Sequence, residues 1–277
     1  NGIVTAVRGY YDDAELLLRQ AEAIFEDIAQ EDRSRGLGRT YVHLAQLELW
    51  LGNPELAGRL AASAYDLARK HNETRERIFT SRLSGMAALM RGDQDKCRKH
   101  LQDARHDATT VGYVEEELAA TLGLAELDHR EHKLAAAEQK LKAVEPRARE
   151  GGYALLRVDV LNALARVLRD DAQQEEAIKI ARAAYEQAWC DGPPYTYGPG
   201  LLTARQLLVE LEAQPPTLPV DGGPDSGKGS DSSPPSDPRR VENARWRCEF
   251  SKYMRVITSP YRYAPTKFIK LLRDDWD

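Results

Sequence analysis

From residue 11 to residue 213 the apolar positions recur three and four residues apart, with Ala, Leu, Glu, Arg and Gln filling the rest. That spacing places one apolar stripe on each helix. No segment alternates apolar and polar residues between turn signals as a strand would, so an all-α chain is expected. The breaks in the pattern predict helices over 11–31, 36–51 with 54–71, 75–91 with 94–110, 114–130 with 133–149, and 154–169 with 173–190. A closing helix is predicted over about 200–213, and residues 1–8 read as part of a first helix.

The breaks themselves repeat. Gly9 to Ala14, Gly52 to Ala57 and Gly92 to Cys97 each run from a glycine through polar turn residues to a small residue. His132 to Ala137 and Ala172 to Ala177 copy the pattern without the glycine. The small residues at 14, 57, 97, 137 and 177 are 43, 40, 40 and 40 apart. Seven residues beyond them stand Ala21, Ala64, Ala104, Val144 and Ala184. Twelve before the later four stand Ala45, Gly85, Ala125 and Ala165. Two antiparallel helices approach to about 8–10 Å only where the side chains at their crossing are small, so these columns mark helix–helix contacts. Leucines such as Leu44, Leu47, Leu118, Leu161, Leu164 and Leu168 fill the flanks.

The Gly turns and small-residue columns resemble the tetratricopeptide repeat (TPR), in a longer variant of about forty residues, over residues 1–213. The resemblance implies an α-solenoid of antiparallel helix pairs coiled into a right-handed superhelix. The stretch Ala188-Trp-Cys-Asp-Gly-Pro-Pro-Tyr-Thr-Tyr197, with Gly200-Leu201 and Ala204-Arg205, resembles the end of the repeat array in bacterial STAND-type signalling NTPases. In that family such arrays serve as sensor or regulatory arms. Their nucleotide-binding part has no counterpart here.

Beyond the repeats the composition changes twice. Residues 214–240 hold seven Pro, four Gly and five Ser among 27, a linker composition. Gly222 to Gly229 approaches a phosphate-binding loop, but Gly229 stands where a hydroxyl must hold magnesium, and no strand precedes it. Residues 241–277 are basic and carry seven of the twenty aromatic residues. Asp237-Pro238 suits a helix start, after which Trp246, Phe250, Tyr253 and Ile257 share one face. So small an element cannot bury these rings alone. Three readings stay open: it docks on the repeats through Trp246, Phe250 and Tyr253, it binds a partner, or it belongs to a domain that continues elsewhere.

With 277 residues, a net charge of −5 and 42% hydrophobic residues, the chain has ample material for a core and no overall bias toward nucleic acid. Its three cysteines lie far apart, which excludes a disulfide framework and suits a reducing compartment. No apolar run is long enough to span a membrane, and a cytoplasmic setting is expected. The chain opens on Asn1, which suggests a piece of something larger.

Chemistry is sparse. His129 and His132 beside Asp128 and Glu131 imitate a metal cluster, but His132 occupies the turn position of Gly52 and Gly92. Cys97 replaces an anchoring alanine and reads as a buried small hydrophobe. Cys190 lacks an assignable His partner, while Asp12-Asp13 and Asp170-Asp171 are helix-end acids. Neither catalysis, a metal nor a cofactor is expected.

What remains is surface. If the first helix of each pair lines the concave side, the groove residues are Arg39, Gln46, Phe79, Arg82, Met86, Glu126, Asp159, Asn162, Arg166 and Arg169, accompanied by Val42, Leu49, Leu89, Leu122 and His129. Aromatic, Met and Arg side chains together suit a peptide or protein ligand. The sequence therefore points to a non-catalytic binding module, the sensor arm of a signalling NTPase. The alternative is an assembly scaffold whose aromatic basic tail docks another subunit or a neighbouring copy.

Overall fold

The computed structural model describes residues 2–28, 30–190, 192 and 195–218. The expected tail, with Trp246, Phe250 and Tyr253, and all but the first five residues of the expected linker lie outside the described residues.

Among the described residues every regular element is a helix: α1 (Gly2–Val7), α2 (Tyr11–Glu26), α3 (Gln30–Trp50), α4 (Pro54–Lys70), α5 (Thr74–Met90), α6 (Gln94–Val111), α7 (Val114–Arg130), α8 (Leu134–Gly151), α9 (Ala154–Asp170), α10 (Gln174–Trp189) and α11 (Gly198–Glu210). Each packs on the next in sequence. The odd-numbered helices also touch one another in order from α1 to α11, so they form the inner layer and the even-numbered ones the outer layer of an all-α solenoid. No described helix is long and apolar enough to cross a membrane.

The repeat is written into the turns. Backbone φ is positive at Gly9, Gly52, Gly92, His132, Ala172 and Glu212. At each, the following amide donates to the carbonyl five residues back: Tyr10 to Thr5, Asn53 to Glu48, Asp93 to Ala88, Lys133 to Asp128, Gln173 to Leu168 and Ala213 to Leu208. This closure satisfies orphan carbonyls at the end of each inner helix. The left-handed conformation is free for glycine and costs roughly 1–2 kcal/mol elsewhere, so His132, Ala172 and Glu212 are held by packing on both sides. The turn at Glu212 is a sixth copy, which the sequence pattern had not exposed.

The small-residue columns sit at the crossings as expected. Ala14, Ala57, Cys97, Ala137 and Ala177 are fully buried, as are Ala45, Ala125 and Ala165. Leucines lock the layers from either side: Leu44, Leu47, Leu101, Leu118, Leu141 and Leu168 are buried, each burial stabilising by about 1.5–3 kcal/mol.

One boundary differs from the pattern. The helix expected over 11–31 ends at Glu26, and the next begins at Gln30 rather than 36. Gly36, where that helix was expected to start, and Gly38 lie inside α3. A Cβ on Gly36 would fall 2.1 Å from Cδ1 of Phe25, so this glycine makes room for the Phe25 ring of α2. At 21 residues, α3 is longer than α5, α7 and α9 at 17 and absorbs the three extra residues of the first repeat.

After five repeats the array meets its own beginning. α1 touches α11, and a Cβ on Gly198 would stand 2.6 Å from the carbonyl oxygen of Arg8 and 2.7 Å from the Gly9 nitrogen. Val7 shares an apolar cluster with Val158, Ala188, Cys190 and Tyr197, and Trp50, Leu155 and Tyr195 pack around it. The C-terminal end of α1 therefore abuts the N-terminal end of α11, and the inner layer closes at that rim.

Candidate functional site

Because successive inner helices are in register, a side chain on one faces its counterpart about forty residues on. Opposite charges there pair across the layer. Arg39 lies 3.7 Å from Glu76, and the guanidinium of Arg82 donates to Glu116 at 3.0 Å while stacking 4.5 Å from the Phe79 ring. Arg166 donates to Glu126 at 2.6 Å, and Arg169 reaches Asp170 and Glu210. His129 Nε2 is 2.7 Å from Asp170, and Arg130 donates to the Leu89 carbonyl at 2.8 Å. Arg39, Phe79, Arg82, Glu126, Arg166 and Arg169 thus line the inner layer, where the charged ones hold neighbouring helices rather than standing free.

Asp159 and Asn162 do related work at the closing end. The Tyr197 hydroxyl donates to Asp159, and Asn162 Nδ2 donates to the Gly200 carbonyl at 3.0 Å. Asn162 is buried, with its Oδ1 unpartnered, so it fastens α11 to α9 and is no groove residue. Val42, Leu89 and Leu122 are buried too, because the sides of the inner helices press on one another. Gln46 and Met86 are half-buried, and Gly123 leaves the space that the Met86 sulfur occupies.

Two titratable groups on the inner helices are shifted by burial. Burial pushes the Asp159 carboxyl up to about 7. The Tyr197 hydrogen bond opposes this, Glu126 adds to it, and Arg166 and Arg82 oppose it. Arg82 is on α5, two inner helices away from α9. The His43 ring is pushed down to about 4 by burial, with Arg39 adding to the effect.

Two concavities lie on the outer side, between even-numbered helices. A groove of about 970 Å³ runs between α4 and α6, floored by α5. Arg59, Tyr65 and Asp66 of α4, Arg77, Ser81 and Ser84 of α5, and Lys99, His100, Asp103 and His106 of α6 line it. Gly58 admits the Arg91 guanidinium, whose Nη1 donates to the Pro54 carbonyl and fixes one end. Among the described residues Arg59, Arg77, Lys99 and Arg105 make no side-chain hydrogen bond or ion pair, and the Nε of Arg77 is buried without a partner. Burial lowers the pKa of His100. A smaller groove of about 450 Å³ between α6 and α8 contains the two-pronged Arg147–Glu117 pair, at 2.8 and 3.2 Å.

The sequence reading missed this outer groove because it assigned ligand contacts to the inner helices by position in the repeat. The cations of α4 and α6 look like an ordinary wet helix face until the two helices are set side by side.

The groups weighed for chemistry fall elsewhere. Cys97 is fully buried, and desolvation pushes its thiol up to about 11, which leaves almost no thiolate at neutral pH. His132 is an exposed turn residue with positive φ. No cluster of three His, Cys, Asp or Glu side chains able to hold a metal occurs among the described residues. No family model matches the chain, and no curated protein does.

Proposed function

We propose that this chain is a protein-binding helical repeat module of the tetratricopeptide type, and that it engages its partner through the outer groove between α4 and α6. One observation carries this reading: the charged side chains of the inner face are paired with one another, whereas Arg59, Arg77 and Lys99 face a groove of about 970 Å³ with no protein partner. Unpaired guanidinium groups beside Tyr65 are the kind of contacts that anchor a polypeptide with carboxylates of its own. Asp66 and Asp103 on the same walls would set the register of a ligand of mixed charge. The resemblance of residues 188–205 to the array end of STAND-type NTPases supports a place as a sensor arm, where occupancy of the groove would change how the array packs on the rest of its parent.

The reading is tested by affinity capture from the native host with two sets of variants. Arg59→Glu/Lys99→Glu is expected to lower recovery of the specific partner at least tenfold with unchanged helix content. Gln46→Ala/Met86→Ala, on the inner face, is expected to leave recovery within twofold. Retention by the first and loss by the second would return the site to the inner face and refute the outer one.

A further inference from the structure

The two ends of the outer groove differ in charge. α4 and α6 are successive outer helices and run the same way, while α5 runs back beneath them. Two contacts fix the level of α5 along these walls: the Arg91 guanidinium sits against Gly58, and the Ser81 hydroxyl donates to the His100 carbonyl at 3.3 Å. Ser84 therefore lies at the level of Arg59 and Lys99, forty residues apart in sequence and on opposite walls. Arg77 lies at the level of Asp66 and His106.

At the end nearer the starts of α4 and α6, the cations Arg59, Arg91 and Lys99 meet one acid, Glu55. The Pro54 carbonyl holds Arg91 in place, so one guanidinium is preorganised and keeps further N–H groups to give. At the other end Asp66, Asp103 and Asp107 outnumber Arg77 and Arg105. Among the described residues none of Arg59, Lys99, Asp66, Asp103 and Asp107 makes a side-chain hydrogen bond or ion pair. Unpaired charges of both signs thus share one groove and are held apart by it. Arg59 and Asp66 are seven residues apart on α4, roughly 10 Å along the helix.

That separation selects a ligand. A nucleic acid or other polyanion would pair at the first end and be repelled at the second. A polypeptide can carry a carboxylate and a cationic side chain at this interval, over two turns of a helix or about three residues of extended chain. Reversing such a segment sets like charges together at both ends.

Taking the outer groove as the binding site, we propose that its partner is a polypeptide segment with an acidic and a basic side chain about 10 Å apart. The groove binds it in one direction, with the acid at Arg59 and Lys99 and the base at Asp66, Asp103 and Asp107.

Zero-length carbodiimide coupling joins a carboxylate to an amine in contact with it, so it reads both ends. The probes for the full chain are a short Gly/Ser peptide carrying a Glu pair and a Lys pair, and its all-Glu and all-Lys counterparts. Fluorescence anisotropy is expected to show the mixed peptide binding at least tenfold tighter than either counterpart. Its Glu should couple to Lys99 and its Lys to Asp103 or Asp107. Asp103→Lys/Asp107→Lys, with helix content checked by circular dichroism, is expected to shift the preference at least tenfold toward the all-Glu peptide. If the all-Glu peptide binds the unaltered chain as tightly as the mixed one and couples to Lys99, the charge-ordered partner is refuted while the outer groove stands. A preference that the double substitution leaves unchanged refutes it too. If no peptide couples to Lys99 or to these aspartates, the groove falls together with the proposal.

Discussion

The hydroxyl of Tyr197 stands 3.0 and 3.2 Å from the two carboxylate oxygens of Asp159, joining α9 to the residue that caps the start of α11. Gly198, the next residue, lies against Arg8 and Gly9 at the opposite end of the array. One hydrogen-bonded pair therefore borders the contact that closes the inner layer, and it contains an acid whose charge the fold disfavours.

Asp159 has its pKa raised by burial from 3.8 to about 7. Its contribution to stability is fully present below pH 3.8 and is lost as pH rises through about 7. Asp159→Asn keeps an acceptor for Tyr197 and removes the charge. The variant is expected to be more stable at pH 8 by about 2 kcal/mol, roughly half the value for full burial because the residue is only half-buried. Thermal melts at pH 8 and pH 5 check this: the gain should be several degrees at the higher pH and shrink toward zero at the lower.

His43 gives the opposite slope. Its folded-state pKa is lowered from 6.5 to about 4, so the stability it allows is present above pH 6.5 and is lost as pH falls through about 4. His43→Gln is expected to flatten the acid side of the stability profile. Its melting temperature relative to wild type should rise between pH 6.5 and pH 4, with little difference at pH 7.5.

Gly198→Ala tests the closing contact. The added methyl would stand 2.6 Å from the Arg8 carbonyl oxygen, and both neighbours are backbone and cannot rotate away. A loss of about 1–3 kcal/mol is expected, as for other overpacked sites, read from the denaturant midpoint. Amide exchange should accelerate first in α1 and the start of α11, while α5 to α8 keep their protection.

The small-residue columns make a separate claim about the crossings. Ala137 is fully buried where α8 packs on α7. Ala137→Leu is expected to cost about 1–3 kcal/mol, whereas Cys97→Ala, which keeps a small group at the same column of the preceding repeat, should cost less than about 1.5 kcal/mol. Equal losses in the two variants would show that the columns do not mark close approach.

Much of the inner face is legible in the repeat itself. Glu126 and Arg166 are one period apart, and His129 and Asp170 are one residue more than a period apart. In a stack of forty-residue repeats such residues must become neighbours, so their pairing follows from the arithmetic of the repeat. Arg39, Phe79, Arg82 and Met86 were likewise placed on the inner layer by register alone. Asn162 was not read correctly, because its burial depends on Gly200, 38 residues away, presenting a free carbonyl to it. Glu116 escaped notice as the partner of Arg82 because it lies in the first turn of α7, off the columns used to mark the groove.

The local pattern by itself determined the helices, their pairing and the turns, since apolar spacing, small crossing residues and the glycines at 9, 52 and 92 act between residues near in sequence or one repeat apart. Tertiary structure alone decided that the stack closes on itself after five repeats and where its open grooves lie. Curvature sums small rotations from every interface, so no single column encodes it. Whether a charged residue ends up paired inside or free outside depends on that sum.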